Sequence, residues 1–268
     1  MPFTPAHAAA ALPFRRTRLN ISALIIGTWA PDFEYFLRLA PHGRFGHTLL
    51  GVFVLTLPLA LLMLWLFNGV VRAPLIALLP DAVQRRLTAP NRIRTSKLTS
   101  RPATFALAAG SALLGIFTHL LWDSFTHVDT WPYLHWPLLS QTLRLPVAGS
   151  VQYYKVFQHG STILGACILA AWFVHWYCTT PPASKLDNTL RSSQKLTIAI
   201  SMLTIAFLGS LLRATIGARF PIIPTGVGTF IGEAVVTFIA LIWWQLVLYG
   251  LIFFKRTSRA HASKTETA

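Results

Sequence analysis

The chain has 268 residues, of which 54% are hydrophobic and only 12% are charged. A soluble domain carries about 25% charged residues, so the composition excludes an ordinary cytosolic protein and indicates an integral membrane protein. The 23 Lys and Arg against 8 Asp and Glu give a net charge of +15, which in a membrane protein indicates topology and contact with anionic lipids; no nucleic-acid partner is expected.

The first predicted element is a short helix at residues 19–30 that ends at Pro31. About 20 apolar residues are needed to cross the hydrocarbon core, and this run is too short. We therefore expect an interfacial or re-entrant helix, within an N-terminal segment, 1–47, that also carries acidic and histidine residues.

Apolar windows of spanning length follow this helix. Five of them are readable, at about 48–69, 103–122, 160–178, 196–217 and 229–254. They predict an all-α, polytopic transmembrane bundle in which residues 1–268 form a single integral membrane domain. Pro58 lies inside the first span, which a membrane helix tolerates where neighbours satisfy the freed carbonyl. Cys167 and Cys178 both lie in the third span, so no disulfide framework is expected.

The distribution of basic residues predicts the orientation. With five spans, a basic loop at 70–102, a loop at 179–195 and a flexible basic tail at 255–268 share one side and carry most of the Lys and Arg. The positive-inside rule makes that side cytoplasmic, where anionic headgroups would be contacted. Five arginines on the other side oppose this orientation: Arg15, Arg16, Arg18, Arg38 and Arg44.

Acidic and histidine residues are concentrated on the opposite, extracytoplasmic side. Half of the acids lie in two short stretches, 32–34 and 123–129, and most histidines precede the first span or follow the second. The clearest stretch is GIFTHLLWDSFTHVDTW, residues 115–131, which closes the second span. Unrelated residues would rarely segregate in this way, so the pattern indicates a polar site on one face.

Helical spacing places His119, Asp123 and His127 in one stripe, because residues four apart share a helix face. Asp123 would lie between two imidazoles and could bridge two metal ions. Zinc takes such ligands and in catalytic sites leaves a position for water; manganese or iron would accept the same set. The alternative is a lone His–Asp pair that bonds across helices, against which the cost of an acid within a membrane argues.

The N-terminal segment offers further ligands in three motifs, His7 in TPAHAAAAL, Asp32 in WAPDFEYF and His47 in GRFGHTLLG. Because Pro31 ends the short helix, Asp32 is expected in a turn at the membrane surface. The predicted metal ligands are therefore His7, Asp32, His47, His119, Asp123 and His127.

Two other acids are candidates for catalytic roles. Glu34 is a general base, a third ligand or a solvated loop acid, and Asp129 either orients a ligand histidine or caps a turn. His159 is a weaker ligand candidate, since no acid follows it four residues later. Arg213 and Glu233, in the last two spans, are expected to form a structural polar pair.

Four motifs carry a resemblance to a known family: PFTPAHAAAALP, APDFEYFLR, GRFGHTLLG and THLLWDSFTH. Over nearly the whole chain they resemble a bacterial membrane-protein family known as a domain of unknown function (number 4184). More distantly, the order of these motifs is similar to that of inner-membrane metal-dependent hydrolases, and of the zinc-dependent phospholipase C and S1/P1 nuclease superfamily. That resemblance implies a helical enzyme of the bacterial inner membrane that hydrolyses phosphoesters with clustered zinc ions.

By position, the resemblance carries metal-ligand roles to all six predicted ligands, with Asp123 bridging. Two features of the superfamily are missing here: its N-terminal Trp, and its final His-x3-acid pair, because Ile163 follows His159 at that spacing. One or two ions are therefore expected rather than three.

Together these features predict a membrane-bound metal-dependent hydrolase in which activated water attacks a phosphoester, as in a phospholipid or a lipid-linked phosphate. One alternative is an ion- or proton-coupled transporter using His119 and Asp123, which predicts ligands spread through several spans near the midplane. Another is a non-catalytic scaffold in which the polar cluster only ties the N-terminal segment to the spans.

Overall fold

The computed structural model describes residues 4–88, 102–145, 149–184, 186, 190–219 and 226–265. Within them, helices long and apolar enough to cross a membrane confirm the all-α, five-span prediction: Leu49–Leu78, Pro102–Ser124, Tyr153–Thr179, Ser192–Gly217 and Val227–Lys255. Several residues of the predicted basic loops lie outside the described residues, namely Arg92, Arg94, Lys97, Arg101 and Lys185, as does the end of the predicted tail, 266–268.

The helices are, in chain order, α1 (Ile21–Trp29), α2 (Phe33–Arg38), α3 (Leu49–Gly51), α4 (Leu57–Leu66), α5 (Arg72–Leu78), α6 (Asp81–Leu87), α7 (Pro102–Ser124), α8 (Trp131–His135), α9 (Pro137–Ser140), α10 (Tyr153–Thr179), α11 (Ser192–Arg219) and α12 (Val227–Thr265). A 3-10 helix, Thr4–Arg16, precedes them, and strands β1 (Thr142–Leu145) and β2 (Gly149–Gln152) pair antiparallel between α9 and α10.

The chain folds as two compact units. Unit 1 contains Met1–Phe33, Arg44–Leu64 and Ser96–Thr179, and unit 2 contains Glu34–Gly43, Trp65–Thr95 and Thr180–Ala268.

The first spanning helix is continuous but not regular. Two π-helical segments, Val52–Thr56 and Phe67–Val71, join α3, α4 and α5. Each lies shortly before a proline, Pro58 or Pro74, whose ring would clash with a carbonyl of the preceding turn in a regular α-helix. The wider turns absorb both prolines, so the helix continues to Leu78, and the loop predicted from residue 70 begins as helix.

In unit 1 the short predicted helix is present as α1 and packs parallel to α7. Asn20 begins it by accepting a hydrogen bond from the Ala23 N–H at 3.1 Å, and its own N–H donates to Ser111 Oγ at 3.0 Å. At the other end of α1, the Thr28 carbonyl lies 2.8 Å from His119 Nδ1, with the same offset of 91 residues between the partners. The two helices therefore run side by side in the same direction.

Two glycines bring these helices into backbone contact. A Cβ at Gly115 would collide with the Leu24 carbonyl oxygen, and a Cβ at Gly27 would collide with the Ala112 carbonyl. Small residues at a helix crossing allow such close approach in membranes, where van der Waals packing replaces the hydrophobic effect between helices. Leu24 is fully buried in consequence.

Among the described residues of unit 2, two charged contacts join helices. Arg213 Nη1 of α11 lies 3.3 Å from Glu233 Oε2 of α12, which is the polar pair predicted from the sequence. Lys195, at the start of α11, is buried and donates from Nζ to the Leu79 carbonyl, to Asp81 Oδ1 at 2.6 Å and to Gln84 Oε1.

Replacing Gly115 by Ala tests the contact between α1 and α7. We expect Gly115→Ala to destabilise the folded protein by about 1–3 kcal/mol, the usual cost of overpacking a filled contact. Gly110→Ala is the matched control, since it lies on the same helix and a Cβ there meets nothing within 4 Å. Thermal unfolding in detergent should show a lower midpoint for Gly115→Ala alone; equal midpoints would contradict the packing.

Candidate metal centre

Four of the six predicted ligands converge in unit 1, at the C-terminal end of α7. They are Asp32, His47, His119 and Asp123, and one donor atom from each lies within 4.8 Å of the others. Helix α7 supplies His119 and Asp123 from one face, and the 3-10 turn after α1 supplies Asp32.

His47 is supplied by another 3-10 turn, Phe45–His47, just before the first spanning helix. Thr48 begins that helix by accepting a hydrogen bond from the Gly51 N–H at 3.0 Å. Thr56, about two turns further on, donates from Oγ1 to the Gly46 carbonyl at 2.9 Å and so ties the turn to the helix. A Cβ at Gly51 would collide with the Phe45 carbonyl oxygen, so only glycine allows this tight connection.

The distances within the cluster fit ligands around one ion better than hydrogen bonds. His119 Nε2 lies 3.2 Å from Asp123 Oδ2 and 3.7 Å from Asp32 Oδ1. His47 Nε2 lies 3.6 Å from Asp32 Oδ1 and 3.8 Å from Asp123 Oδ2. Ligands about 2.1 Å from a tetrahedral ion are about 3.4 Å apart, whereas N–H···O hydrogen bonds cluster near 2.9 Å. The four donor atoms therefore surround a position of the right size for a metal ion.

A backbone carbonyl sets the tautomer of His119. Its Nδ1 lies 2.8 Å from the Thr28 carbonyl oxygen, which can only accept a hydrogen bond. The proton of the neutral ring is therefore on Nδ1, and the lone pair of Nε2 faces the two carboxylates, the arrangement typical of metal-bound histidines. Among the described residues, His119 Nε2 and Asp32 Oδ1 are buried without a hydrogen-bond partner.

Asp32 is buried in an environment that disfavours its charge when no ion is bound. Thr4 Oγ1 donates to its Oδ2 at 2.6 Å, which leaves Oδ1 directed at the cluster. Burial, partly offset by His119, raises the pKa of this carboxyl from 3.8 to about 6. A cation in the cluster would remove this penalty by neutralising the carboxylate.

His7 joins the cluster at the other oxygen of Asp123. Its Nε2 lies 3.4 Å from Asp123 Oδ1, and its ring stacks on that of His119 with centroids 4.2 Å apart. Burial, reinforced by the neighbouring His119, lowers the pKa of His7 to about 3, so the ring is neutral and able to act as a ligand. Asp123 thus presents Oδ2 to the four-residue centre and Oδ1 to His7, as a bridging carboxylate would.

His127 lies at the rim rather than inside. Its Nδ1 is 3.1 Å from the carbonyl oxygen of Asp123 and 3.7 Å from the Asp123 carboxylate. A proton on Nδ1 can therefore be donated to the Asp123 carbonyl, which leaves the lone pair of Nε2 free for a ligand bond. The side chains of His127 and His47 are 30% and 22% exposed, whereas those of the other ligands are 9% or less, so these two histidines mark the open side of the centre.

The other candidates lie apart from this cluster or serve other contacts. Glu34 belongs to unit 2, where Arg38 donates to its Oε1 from Nε at 3.0 Å and from Nη2 at 2.8 Å. Asp129 is exposed in the turn after α7 with a φ of 62°, a left-handed conformation that Asp tolerates better than most residues and that favours the turn alternative. His159 is exposed on α10, outside the group of converging donors.

Two threonines that hold the ligands in place were not identified from the sequence. Thr28 acts through its main-chain carbonyl, which any residue possesses, and Thr4 acts through a hydroxyl 28 residues from its acceptor. No spacing rule marks either contact. The one available signal was position, since Thr4 lies three residues before His7 and Thr28 ends the short helix.

Comparison with known proteins identifies a family over most of the chain. The profile of a family described as "Domain of unknown function (DUF4184)" matches residues 1–251. No curated protein and no solved structure matches.

The buried Asp32 leads to a prediction for protein from which metal has been removed with a chelator. Because its folded pKa of about 6 exceeds the unfolded value of 3.8, ionisation destabilises the folded state progressively as the pH rises through this range. Asp32→Asn should therefore unfold at the same temperature as wild type near pH 4 and be more stable above pH 6, by on the order of 1–3 kcal/mol. Thermal unfolding across pH measures the difference.

Asp81→Asn is the control of opposite sign. Asp81 is exposed, and the hydrogen bond and charge of Lys195 lower the pKa of its carboxyl, so its ionised form stabilises the folded state at neutral pH. This variant should be less stable than wild type at neutral pH, with the difference shrinking in acid. A stability difference for Asp32→Asn that does not depend on pH would contradict the buried-charge account.

Proposed function

The chain belongs to the DUF4184 family, and we propose that it is a membrane-bound, metal-dependent phosphoester hydrolase. The observation that carries the proposal is the convergence of Asp32, His47, His119 and Asp123, with one donor atom from each within 4.8 Å of the others. Two aspartates and two neutral histidines together with a divalent ion have a net charge of zero. A neutral complex is favourable in a buried site, because burying a net charge is costly. Zinc is the proposed ion, because this donor set and these spacings match its usual coordination.

Each residue of the cluster has a part in the proposed chemistry. When bound, a divalent ion brings the pKa of a coordinated water towards neutrality and offsets negative charge on a phosphoryl group. Asp32, held by Thr4, and His119, held by the Thr28 carbonyl, fix the position of the centre. Asp123 bridges towards His7, so that a second ion would be held by Asp123 Oδ1 and His7. His47 and His127 lie at the open side of the centre, through which substrate would enter.

The surface beside the open side favours a lipid substrate. A groove of about 410 Å³ is lined mainly by apolar side chains of the N-terminal segment, α7 and α10, and by two threonines and a serine: Ala10, Thr118, Leu121, Trp122, Phe125, Thr126, Phe157 and Ser161. Two of these residues also touch the metal centre: the Trp122 ring lies 5.2 Å from that of His7, and Thr126 Oγ1 lies 3.3 Å from His127 Nδ1. A hydrocarbon chain in this groove would place an attached phosphoester near His127, on the rim of the candidate metal centre.

For orientation we propose a bacterial inner-membrane protein with the metal centre on the extracytoplasmic side and a cytoplasmic C-terminus. The support is the excess of Lys and Arg in the loops on the other side of the predicted topology, which the positive-inside rule makes cytoplasmic. Those loops would contact anionic headgroups. The substrate would then be a phospholipid or lipid-linked phosphate of the outer leaflet.

Metal content is the first test. Purified wild-type protein, reconstituted with zinc or manganese, should hold one ion per chain, or two if Asp123 and His7 bind a second. His119→Ala and Asp123→Asn should lose the ion, and Thr4→Val should weaken binding by roughly 10–100-fold, the usual cost of removing a group that orients a ligand. Elemental analysis and competition with a chelating dye give stoichiometry and affinity.

The matched control for these variants is His159→Ala, an exposed histidine of α10 outside the cluster, which should keep the full metal content. Wild-type protein without stoichiometric metal after reconstitution would overturn the hydrolase proposal. Metal loss in His159→Ala equal to that in His119→Ala would indicate adventitious binding at surface histidines.

The groove makes a separate prediction about substrate. Leu121→Trp narrows the groove without touching a ligand, so it should lower kcat/KM for a long-chain phospholipid by roughly three- to ten-fold, the loss expected for about 1 kcal/mol of apolar contact. Hydrolysis of a short, water-soluble phosphodiester should be unaffected. Leu164→Trp, an exposed position on α10 that does not line the groove, is the control.

Three assays separate the rival functions. Release of headgroups or of a chromogenic phosphodiester product by the metal-loaded protein supports the enzyme. Metal-loaded protein that hydrolyses neither class would contradict the proposal and favour a scaffold, and ion flux in proteoliposomes without hydrolysis would favour a transporter.

A further inference from the structure

The N-terminal segment forms a hairpin that leaves the metal centre and returns to it. His7, in the 3-10 helix Thr4–Arg16, lies in the centre, and the Thr28 carbonyl at the end of α1 contacts it again through His119. Between these points the chain reverses at residues 14–20, which we call the hairpin tip. Thr17 closes the reversal, because its Oγ1 donates to the Phe14 carbonyl at 2.7 Å.

The contacts with α7 give the depth of the tip. Asn20 contacts Ser111, and Thr28 contacts His119, so eight residues of each helix separate tip and centre, or about 12 Å at 1.5 Å per residue. Ser111 is about 20 Å from the Ser124 end of α7 and about 14 Å from the Pro102 end. The middle of α7 is residue 113, so the tip lies beyond the middle of this helix as seen from the metal centre. In a hydrocarbon core about 30 Å thick and centred on α7, the tip would lie beyond the midplane.

The tip is strongly basic. Arg15, Arg16 and Arg18 are all exposed, and the sequence contains no acidic residue before Asp32. A charged side chain held in the hydrocarbon costs about 2.5–3.5 kcal/mol on insertion scales, unless it extends to the interface. From this depth the nearer interface is the one at the Pro102 end of α7, opposite to the metal centre.

The backbone of the tip is adapted to this depth. A polar main chain inside a membrane must be satisfied by protein, and Ser111 accepts from the Asn20 N–H while donating its own hydroxyl to the Leu107 carbonyl at 2.7 Å. In the sequence, two further basic residues, Lys97 and Arg101, come just before Pro102.

We propose that the N-terminal hairpin is a re-entrant element whose tip arginines bind the phosphate headgroups of anionic lipids in the leaflet opposite to the metal centre. Charge complementarity selects this partner, because three exposed guanidiniums without neighbouring acids in the segment match clustered lipid phosphates. The inference depends on α7 spanning the membrane and not on hydrolase activity. The sequence-based topology placed Arg15, Arg16 and Arg18 on the extracytoplasmic side, where they opposed the proposed orientation. In the re-entrant arrangement they lie towards the cytoplasmic side and support that orientation.

Cysteine labelling tests the depth and sidedness of the tip. In a Cys167→Ser/Cys178→Ser background, Arg16→Cys and, separately, Arg18→Cys are treated with a membrane-impermeant maleimide in right-side-out and inverted vesicles. The reference is Asp129→Cys, in the turn that follows α7 at the metal-centre end. Both tip cysteines should react from the face opposite to the reference. Reaction from the same face as Asp129→Cys, or from neither face until detergent is added, would overturn the proposal.

Lipid titration tests the partner. Phosphatidylglycerol should bind the detergent-solubilised wild-type protein more tightly than phosphatidylcholine does, and the Arg15→Gln/Arg16→Gln/Arg18→Gln variant should lose about five-fold in phosphatidylglycerol affinity per arginine. The control for net charge is Arg44→Gln/Arg144→Gln/Lys155→Gln, three exposed residues of unit 1 outside the tip. Three results would contradict the assignment. The two triple variants could lose phosphatidylglycerol affinity equally, the tip variant could keep its affinity unchanged, or inorganic phosphate alone could bind the wild-type protein as tightly as phosphatidylglycerol does.

Discussion

The parallel contact of α1 with α7 is the interaction on which the candidate site depends. Gly27 and Gly115 let the two backbones meet, and the helices then keep a constant offset from Asn20–Ser111 to Thr28–His119. That register places the Thr28 carbonyl on the imidazole of His119 and carries the following turn, with Asp32, to the same point. A helix too short to span a membrane is stable here because it buries its apolar face against protein and has its first N–H groups satisfied by side chains.

The electrostatics of the cluster explain why a cation is the simplest occupant. Asp32 and Asp123 are both buried, and the described ion-pair contacts of their carboxylates are made by four imidazoles, with no Lys or Arg among them. Burial without a cation is costly enough that the pKa of Asp32 rises towards neutrality. A divalent ion would neutralise the Asp32 carboxylate, and perturbed pKa values of this kind cluster at functional sites.

In the proposed arrangement, the same hairpin would link the candidate metal centre to the opposite leaflet. His7 and Asp32 stand at its two ends in the centre, and the arginine tip lies about 12 Å away along α1. Lipid binding at the tip would therefore act on an element that carries two of the proposed ligands. This gives the N-terminal segment two roles that its sequence presents as separate motifs, a histidine near the start and a basic cluster afterwards.

Much of this molecule was predictable from sequence, because hydropathy and residue type are local properties. The five spans, the short helix before Pro31, the His119–Asp123 spacing and the ligand candidates all follow from composition and periodicity. Other features depended on tertiary contacts: the threonines that orient Asp32 and His119, and the meeting of His7 and His47 with Asp123 of α7. The pairing of Glu34 with Arg38 and the contact of His127 with the Asp123 carbonyl are local, because the partners are four residues apart. The sequence by itself determined which chemical groups are available in each segment; only the folded chain decided which of them meet, because register and depth are set by backbone contacts between residues 91 positions apart.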